Sequence, residues 1–386
     1  MIKVEDKKKC CGCEACVQKC PTQCISMCED NEGFQYPLVD LSRCIDCKLC
    51  ERVCPYTNPV LPSSKPLSVW AAKCRDLSVR KKSSSGGLFY LLAEQVLEQQ
   101  GVVFGVRFDK KWDAVFDAVE TINDLPLLMG SKYVQASVGH AYIRVRDLLN
   151  QERRVLFTGT PCQVQGLKRF LGKEYDNLYC ISVLCHGVPS PKVWHTYLST
   201  FGHRIEYVNF RSKRTGWRNY RVEIHYRSGD ADDIQTYSSI FRDNPYMNSF
   251  LNDITLRPSC HRCEFKLDNS FSDLILGDFW NIDYVLPFFN DDNGTSIVIA
   301  CSKKGTALLD DIKIDRVKVI PNRAIDPVSN GGFVSNISFH PNRKRFFRQL
   351  GKKPFDKLVF ETVNQYSVLS RLKRKLEVVY KNYLKS

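Results

Sequence analysis

The chain has 386 residues, of which 43% are hydrophobic and 25% charged, as in ordinary globular proteins and unlike disordered chains. Its formal net charge is +14, but residues 341–386 hold thirteen Lys and Arg against three Asp and Glu. Most of the positive charge therefore belongs to this one segment, and we expect no nucleic acid partner.

No stretch approaches 18 consecutive apolar residues, so no transmembrane helix is predicted. The first ten residues, MIKVEDKKKC, lack the apolar segment of a secretory signal. We therefore expect a cytoplasmic protein. In such a protein, clustered cysteines among the 18 bind metal more often than they form disulfides.

Two cysteine runs of the form C-x2-C-x2-C-x3-C-P lie in the first 55 residues. This pattern is typical of two-cluster bacterial ferredoxins, in which the fourth cysteine of each run ligates the other cluster. The first [4Fe–4S] cluster is thus predicted to take Cys10, Cys13, Cys16 and Cys54. The second is predicted to take Cys44, Cys47, Cys50 and Cys20.

Zinc is the alternative for these runs, but zinc sites use one or two C-x2-C pairs rather than two runs of four. Cys11, Cys24 and Cys28 lie outside the pattern, and we interpret them as structural or incidental. Because such clusters relay single electrons, another part of the chain must supply any bond chemistry.

A proline-rich linker from Pro59 to Pro66 leads to a new domain that starts near Val69. Ser83–Gly87 (SSSGG) then precedes a helical pattern. Serines and glycines that open a helix form either an anion site or a plain N-cap, and the spacing does not distinguish the two.

Strands are predicted at 102–108, 155–157 and 178–184. The second leads through Gly159-Thr160-Pro161-Cys162-Gln163 into a helix, and the third leads through Cys185-His186-Gly187 into another. This strand, tight turn and helix geometry is common in cofactor-binding sheets. Each of these strand ends therefore presents a cysteine.

Cys260 and Cys263 form a lone C-x2-C pair, which is compatible with zinc, a redox pair or half of a cluster site. With Cys162 and Cys185 they make four cysteines, enough for a third [4Fe–4S] cluster. His186 and His261 are candidates for proton transfer, although a histidine beside a cysteine is more often structural.

The segment Leu274–Trp280 is an apolar strand that ends in Gly277, Asp278 and an aromatic pair. It predicts a carboxylate and aromatic faces at the rim of a site, or a turn with core aromatics. A second apolar strand follows Gly294-Thr295-Ser296.

A basic amphipathic helix is predicted near the end of the chain, with the apolar stripe Leu369, Leu372, Leu376, Val379 and Tyr383. Such a helix packs on its own domain, or contacts an anionic membrane or a partner protein.

Together these segments resemble the coenzyme F420 hydrogenase/dehydrogenase beta-subunit family. The resemblance rests on the two cysteine runs and on SSSGG, KYVQ, LFTGTPCQVQGL, LCHGVPSPKVW, NFRSKRTGW, LRPSCHRC, LGDFW and GTSIVI. It spans residues 10 to about 300 and says little about the rest.

The resemblance implies FAD and a third [4Fe–4S] cluster, held by Cys162, Cys185, Cys260 and Cys263, in the main domain. It makes the following residues candidates for binding the flavin: Ser85, Gly86, Gly87, Lys132, Thr158, Gly159, Thr160, Pro161, Gln163, His186, Gly277, Asp278 and Trp280. Relatives act on coenzyme F420 or on other organic substrates, and similar chains are encoded with surface-polysaccharide enzymes.

The predicted fold is α+β, with a ferredoxin module at 1–60, a mixed α/β domain in two parts at 67–146 and 147–315, and a basic helical tail at 316–386. We expect a flavin- and iron–sulfur-dependent oxidoreductase that takes electrons from, or gives them to, a protein such as ferredoxin and acts on a small-molecule substrate or coenzyme. The alternative is a non-catalytic electron-transfer subunit that docks on a partner oxidoreductase. The catalytic residues are not identified from the sequence.

Overall fold

Short apolar segments separated by polar turns form the strands and helices of the chain. A computed structural model describes residues 1–58, 67–202, 204–227, 233–266, 271–320 and 336–364. The strands are β1 Ile25–Glu29, β2 Gln35–Val39, β3 Ser68–Cys74, β4 Val102–Phe108, β5 Ala114–Val119, β6 Val155–Gly159, β7 Leu178–Val183, β8 Arg204–Ser212, β9 Arg221–Arg227, β10 Ile234–Ile240, β11 Leu274–Asp278, β12 Ser296–Ala300 and β13 Ile314–Val319.

The helices lie between these strands and after them. They are α1 Ala15–Lys19, α2 Leu49–Arg52, α3 Leu77–Lys82, α4 Leu88–Glu98, α5 Ala141–Asn150, α6 Pro161–Leu171, α7 Pro191–Leu198, α8 Pro245–Leu251, α9 Ile282–Val285, α10 Lys303–Asp310, α11 Arg343–Gln349 and α12 Phe355–Asn364. Short 3₁₀ helices occur at Lys7–Lys9, Ile122–Leu127, Ser199–Phe201 and Pro258–Arg262.

The two cysteine runs fold as matching halves. Gly12 and Asp46, two residues after the first cysteine of each run, both have positive φ, and so do Glu14 and Lys48. The left-handed turns curl each loop back before a short helix, α1 or α2, carries its third cysteine. The antiparallel hairpin β1–β2 lies between the two halves.

An eight-stranded sheet forms the main domain, in the order β13-β3-β12-β11-β7-β6-β4-β5. Strands β4, β6, β7 and β11 are mutually parallel, whereas β12 and β5 pair antiparallel with their neighbours. The central strands are apolar along most of their length because helices cover both faces. The predicted parts 67–146 and 147–315 both contribute strands to this sheet.

Each face of the sheet has its own core. Leu88, Leu92 and Val96 of α4 pack with α10 against one face. The other face packs with α5, α6, α7 and α8 in a larger, aromatic-rich core around Trp194 and Tyr246. A separate three-stranded sheet, β10-β9-β8, flanks this second core.

The ferredoxin module is joined to the main domain through the start of α5. The Glu14 carboxylate accepts hydrogen bonds from the backbone N–H groups of Val138 and Gly139 at 3.0 and 2.8 Å. The Gln18 side-chain oxygen accepts from the N–H of Tyr142 at 2.9 Å. Because the first N–H groups of a helix have no partner within it, the module satisfies donors that α5 cannot satisfy alone.

The predicted α+β organisation is confirmed: an iron–sulfur module, a mixed α/β domain and a helical C-terminal region are present. Strand β13 runs across the predicted boundary between 315 and 316, because its alternation pairs it with β3 at the sheet edge. Two helices, α11 and α12, follow it in the described part of the region. The predicted amphipathic helix from Leu369 to Tyr383 lies outside the described residues.

Within the described ranges, no helix combines the length and the apolar character needed to cross a membrane.

Candidate cofactor site

Three parallel strands end at the same edge of the main sheet. Because β6, β7 and β11 are neighbours and run in the same direction, Gly159, Val183 and Asp278 all lie at this edge. Ligands of open α/β sheets bind where strands end and helices begin. The residues predicted to bind cofactors lie along this edge and in the ferredoxin module that packs against it.

The cysteines assigned to the first cluster lie close enough for their charges to act on one another. Burial raises the pKa of the Cys16 thiol, and the charges on Cys13, Cys10 and Cys54 raise it further. The crossed assignment, with Cys54 from the second run, is therefore compatible with the geometry.

A cavity in the module is lined by the four cysteines assigned to the second cluster, which are Cys20, Cys44, Cys47 and Cys50. Cys24 lines it as well, and its Sγ lies 3.4 Å from that of Cys20. The sequence left Cys24 outside the ligand pattern, but the fold places it beside the second set. The thiols and the space between them fit a cluster.

The four cysteines outside the module also come together, although they are far apart in the sequence. Burial raises the pKa of Cys185, and so do the charges on Cys260, Cys162 and Cys263. The loop after Cys185 contacts the C-x2-C segment directly, since a Cβ on Gly187 would lie 3.2 Å from the Cβ of Cys260. We call these four residues the third cysteine set.

A single metal ion is the alternative for the third set. In the part of the chain that the structure describes, no three His, Cys, Asp or Glu side chains are placed to hold one ion.

Cys11 lies between the first and third cysteine sets, where the sequence had suggested an incidental residue. Hydrogen bonds with Cys13 and Cys162, followed by burial, raise the pKa of Cys11. The hydrogen bond from Cys11 outweighs burial at Cys162 and lowers the pKa of Cys162 to about 7. The two sets are thus adjacent, with one thiol in contact with both.

Gly166 lets helix α6 lie directly on the first cluster loop. A Cβ at this position would be 2.9 Å from the Cβ of Cys13, 3.0 Å from its Sγ and 2.8 Å from the Tyr142 hydroxyl oxygen. Only glycine fits such an approach without moving its neighbours. Helix α6 therefore brings Cys162, near its start, close to the module.

The turn before α6 is fixed by its own side chains. Thr160 and Gln163 form a capping box, in which the Thr160 N–H donates to the Gln163 side-chain oxygen at 2.9 Å, and Pro161 occupies the first turn. The Thr160 hydroxyl lies 3.2 Å from the Cys162 sulfur. A Cβ on Gly159 would lie 3.2 Å from the Gln163 oxygen. These four residues shape the loop that presents Cys162.

Asp278, at the end of β11, forms an ion pair with the buried Arg211. Its carboxylate accepts two hydrogen bonds from Arg211, at 2.7 and 3.0 Å, and a third from the Trp217 indole at 2.7 Å. Trp217 stacks on Trp280 with ring centroids 4.9 Å apart. The predicted carboxylate and aromatic faces are present, but the carboxylate is committed to Arg211.

The serine and glycine segment before α4 is attached to β12. The Ser85 hydroxyl donates to the Thr295 carbonyl at 3.0 Å, and the Gly86 N–H donates to the Ser296 hydroxyl at 3.0 Å. Gly87, with φ of +86°, precedes α4, which has no side-chain N-cap bond. The N-cap is thus a glycine, and its backbone conformation rather than a side-chain bond starts the helix.

A cationic group lies beside this segment. The Lys213 ammonium donates to the carbonyls of Arg80, Ser85 and Asn293 at 2.7 to 2.8 Å. Burial, together with the charge of Arg211, lowers the pKa of Lys213 to about 7.

Lys132 belongs to the same neighbourhood through the residues on each side of it. The Ser131 N–H donates to the Ser84 hydroxyl at 2.8 Å, and the Tyr133 hydroxyl accepts from Arg211 at 3.0 Å. Burial lowers the pKa of Lys132 to about 7.

Several buried polar atoms at this edge have no partner in the described part of the chain, among them the Thr158 hydroxyl, the Arg211 Nε and the Thr295 hydroxyl. Thr158 pairs with Ile181 on β7, which in turn pairs with Leu274 on β11. Residues paired across neighbouring strands point to the same face of a sheet, so Thr158 and Leu274 share a face. Side chains alternate along a strand, so Asp278, four residues after Leu274, points to that face as well. It is the face that α4 covers. Buried polar groups left unpaired in this way point to a missing polar ligand.

Two family models match the chain. That for the C-terminal part of the coenzyme F420 hydrogenase/dehydrogenase beta subunit matches residues 152–322, and that of a 4Fe–4S dicluster domain matches residues 9–58. Residues 152–322 thus belong to the C-terminal domain family of the coenzyme F420 hydrogenase/dehydrogenase beta subunit, and residues 9–58 belong to the 4Fe–4S dicluster family. It is an iron–sulfur electron-transfer protein related to oxidoreductase subunits, and its dicluster domain binds [4Fe–4S] clusters.

Two curated relatives match the dicluster end of this beta-subunit homologue. An uncharacterized ferredoxin of Methanocaldococcus jannaschii is 33% identical over 79 residues, which are 20% of this chain and 94% of that protein. An uncharacterized protein from the rpl9–rpl11 intergenic region of Porphyra purpurea is 34% identical over 61 residues, which are 15% of this chain and 81% of that protein.

A solved chain in the F420-reducing [NiFe] hydrogenase complex from Methanosarcina barkeri is similar at a TM-score of 0.47 and 16% identity. The similarity covers 76% of this beta-subunit homologue and 94% of that chain.

The residues predicted to bind flavin in this family member fall into two neighbouring groups. Around β11 and the start of α4 lie Ser85, Gly86, Gly87, Lys132, Asp278 and Trp280. Around the end of β6 lie Thr158, Gly159, Thr160, Pro161 and Gln163. Gly277 lies in β11, where a Cβ would be 2.5 Å from the Leu184 side chain, so the chain packs closely at this position.

The two candidate histidines have partners of their own. The His186 Nε2 lies 2.6 Å from an Asp253 carboxylate oxygen, and the ring meets Phe250 edge-on. The His261 ring stacks on Phe339 with centroids 3.8 Å apart, and burial lowers its pKa to about 4. These contacts fit the structural interpretation of both side chains.

Sequence reasoning missed Arg211 and Lys213, which lie in the NFRSKRTGW segment, and Trp217 at the end of it. The segment was noted only as a family match. The alternation of Arg211 and Lys213 around Ser212 at the end of β8 was the available signal, since it places both cations on one side of a strand.

Proposed function

We propose that the chain is an iron–sulfur flavoprotein oxidoreductase, with FAD bound at the sheet edge next to a third [4Fe–4S] cluster. The observation that carries the proposal is the unpaired, buried Thr158 hydroxyl on the strand that leads to Cys162. FAD, when bound, can exchange two electrons with a substrate as hydride and single electrons with a cluster.

The third cysteine set supports a cluster because its members come from three separate elements, and the charges of the other three cysteines act on Cys185. Four thiols that converge in this way, in contact with a two-cluster module, fit a cubane better than an isolated redox pair. We assign Cys162, Cys185, Cys260 and Cys263 as its ligands.

The flavin would be held by groups that the protein has already oriented. The Arg211 and Asp278 pair fixes the end of β11 and leaves the Arg211 Nε unpaired beside the stacked Trp217 and Trp280. The start of α4 offers the positive end of a helix for phosphate groups, whereas the Lys132 amine donates to the Met129 carbonyl at 2.6 Å. An aromatic surface beside cationic groups and an unpaired hydroxyl suits a ring system joined to a diphosphate.

The three cysteine sets are ordered from the surface inward. In the second set, Ile45 follows Cys44 and is 64% exposed, whereas Cys11 holds the matching position in the first set and is 9% exposed. The first set touches the third through Cys11, and Cys162 and Cys185 of the third set follow the ends of β6 and β7 at this edge. Electrons would enter or leave at the second set and be exchanged with substrate at the sheet edge.

FAD binding tests the proposal. The chain, purified anaerobically and reconstituted with iron and sulfide, is titrated into FAD while the quenching of FAD fluorescence is recorded. We expect one FAD per chain, and about tenfold weaker binding by Thr158→Val, because losing one buried hydrogen bond costs about 1–3 kcal/mol.

Thr196→Val is the matched control, since Thr196 is half-buried on α7 and its hydroxyl bonds to the Lys192 carbonyl within its own helix. Its FAD affinity should equal that of the wild type. Absence of FAD binding by a wild-type chain with its full iron content would contradict the flavin proposal.

A second candidate function is that of an electron-transfer subunit without its own substrate site. The exposed apolar residues around the second set favour it, since Leu38, Leu41 and Ile45 are 58%, 65% and 64% exposed. Such a patch beside a cluster suits contact with a partner oxidoreductase or ferredoxin. Substrate turnover by the isolated chain would favour the first candidate, and a stoichiometric complex with turnover only in that complex would favour the second.

We propose that the substrate of this chain is coenzyme F420 or another organic molecule. A role in surface-polysaccharide biosynthesis stays a prediction.

A further inference from the structure

Arg257 is a buried arginine that reaches from the main domain into the ferredoxin module. It is 0% exposed and caps the 3₁₀ helix that carries Cys260. Its Nε donates to the Cys10 carbonyl at 2.7 Å, and its Nη2 lies 3.6 Å from the Cys10 sulfur and donates to the Gln35 carbonyl at 2.8 Å. Its Nη1 donates to the Gln135 side-chain oxygen at 2.9 Å.

Arg257 forms no direct ion pair with a carboxylate in the described part of the chain, and its charge acts on the Glu14 carboxylate only from beyond hydrogen-bond distance. Four arginines are buried in that part, and the other three each pair with an acid: Arg80 with Asp291, Arg211 with Asp278, and Arg343 with Glu32. A buried cation without a counter-charge is strongly destabilising. Because Glu14 makes no direct contact with Arg257, negative charge beside the guanidinium must come from another source.

The groups nearest to its charge are thiols and aromatic rings. Cys10, Tyr36, Cys11 and Cys260 are the groups whose charges act most strongly on Arg257. The guanidinium carbon lies 4.3 Å from the centre of the Tyr36 ring. Cys10 is a predicted ligand of the first cluster, and a [4Fe–4S] cluster with four thiolates carries net negative charge.

We propose that Arg257 is the buried counter-cation of the first cluster and raises its reduction potential. A cation beside a cluster stabilises the reduced state, which carries one more negative charge, and a hydrogen bond to a ligand sulfur acts in the same direction. Low surrounding polarity strengthens both effects. Gln135 holds the guanidinium in place by accepting from its other nitrogen.

The position of Arg257 also sets which cluster is affected most. Its hydrogen bond goes to Cys10 of the first set, while the second set lies on the outer side of the module. The first cluster therefore becomes a better electron acceptor than the second, which favours movement of electrons inward. This inference depends on the dicluster domain and is independent of whether FAD binds.

The test compares Arg257→Met with Arg343→Met in the full chain, with both proteins reconstituted with iron and sulfide. Arg343 is the matched control, since it is also buried and bonds to the module at Glu32, but it pairs with a carboxylate. The measurement is an EPR-monitored redox titration of each cluster, with the iron content as a check on loading.

We expect Arg257→Met to disfavour reduction of the first cluster by at least tenfold, which for one electron is a fall of about 59 mV in midpoint potential. Arg257→Lys keeps the charge and should fall between wild type and Arg257→Met. Arg343→Met should keep the wild-type midpoint. Full iron with unchanged midpoints in Arg257→Met would overturn the proposal.

A second measurement uses the unmodified protein, in case the variants do not load iron. Chain labelled with ¹⁵N in the arginine guanidinium groups is reduced, and pulsed EPR records the coupling of the cluster spin to ¹⁵N. We expect a ¹⁵N coupling on the first cluster, because Arg257 donates to the Cys10 sulfur. Its absence from the labelled wild-type protein would refute the contact.

Discussion

The carboxylate of Asp278 is predicted to stabilise the fold rather than to take part in chemistry, and Asp278→Asn tests this directly. Arg211 is buried, and its two terminal nitrogens donate to Asp278 at 2.7 and 3.0 Å. Replacing the carboxylate by a neutral amide leaves the guanidinium charge buried without compensation. Breaking a buried pair in this way costs about 3–5 kcal/mol.

The third bond to Asp278, from the Trp217 indole at 2.7 Å, provides the probe. Urea unfolding followed by tryptophan fluorescence should show a lower midpoint with an unchanged slope. Because the loss comes mainly from the stranded cation, the double variant Arg211→Met with Asp278→Asn should be more stable than Asp278→Asn alone.

The matched control is Asp315→Asn at the exposed pair with Arg75, whose side chains are 46% and 67% exposed. Exposed pairs contribute about 0–1 kcal/mol, so this variant should unfold close to the wild type. If Asp278→Asn and Asp315→Asn unfold at the same urea concentration, the assignment of Asp278 to a structural pair is wrong.

Three further predictions concern other contacts. Gly166→Leu should lower the free energy of unfolding by about 1–3 kcal/mol, because the new side chain overlaps the first cluster loop. It should also reduce the iron bound by the module, and a variant with wild-type stability and iron content would contradict this prediction. Burial opposes the charge of Asp291, but hydrogen bonds from Arg80 outweigh it and hold the pKa of Asp291 well below its usual range. The contribution of Asp291 to the free energy of unfolding is therefore complete above about pH 4, the ordinary pKa of an aspartate, and is lost as the pH falls below that value. Asp291→Asn should remove this part of the acid sensitivity, as measured by urea unfolding at a series of pH values. Cys263→Ser should remove about four irons per chain, whereas Cys301→Ser, outside the three sets, should remove none by iron analysis.

The sequence predicted those parts of the site that depend on local spacing. The cysteine runs identified the dicluster module because three ligands of each cluster lie within seven residues. The strands that end before Cys162 and Cys185 were predicted because apolar runs followed by Gly, Thr and Pro are strong local signals. The structure places both strands close to the predicted bounds.

Contacts between distant segments could not be predicted in this way. Arg257 lies 247 positions from Cys10, and nothing in the residues around it indicates a thiol partner. Cys11 resembled an incidental residue because its role depends on where α6 packs. Asp278 resembled a free carboxylate, since its partner Arg211 lies on a different sheet.

The central claim is that this edge of the sheet joins a third cluster to a flavin, and cofactor content tests it most directly. Iron, zinc and flavin are measured per chain in protein purified without oxygen. The account predicts about twelve irons, no stoichiometric zinc and one FAD, corresponding to three [4Fe–4S] clusters and one flavin. About eight irons with no flavin would contradict it, leaving a dicluster module attached to a domain of another function.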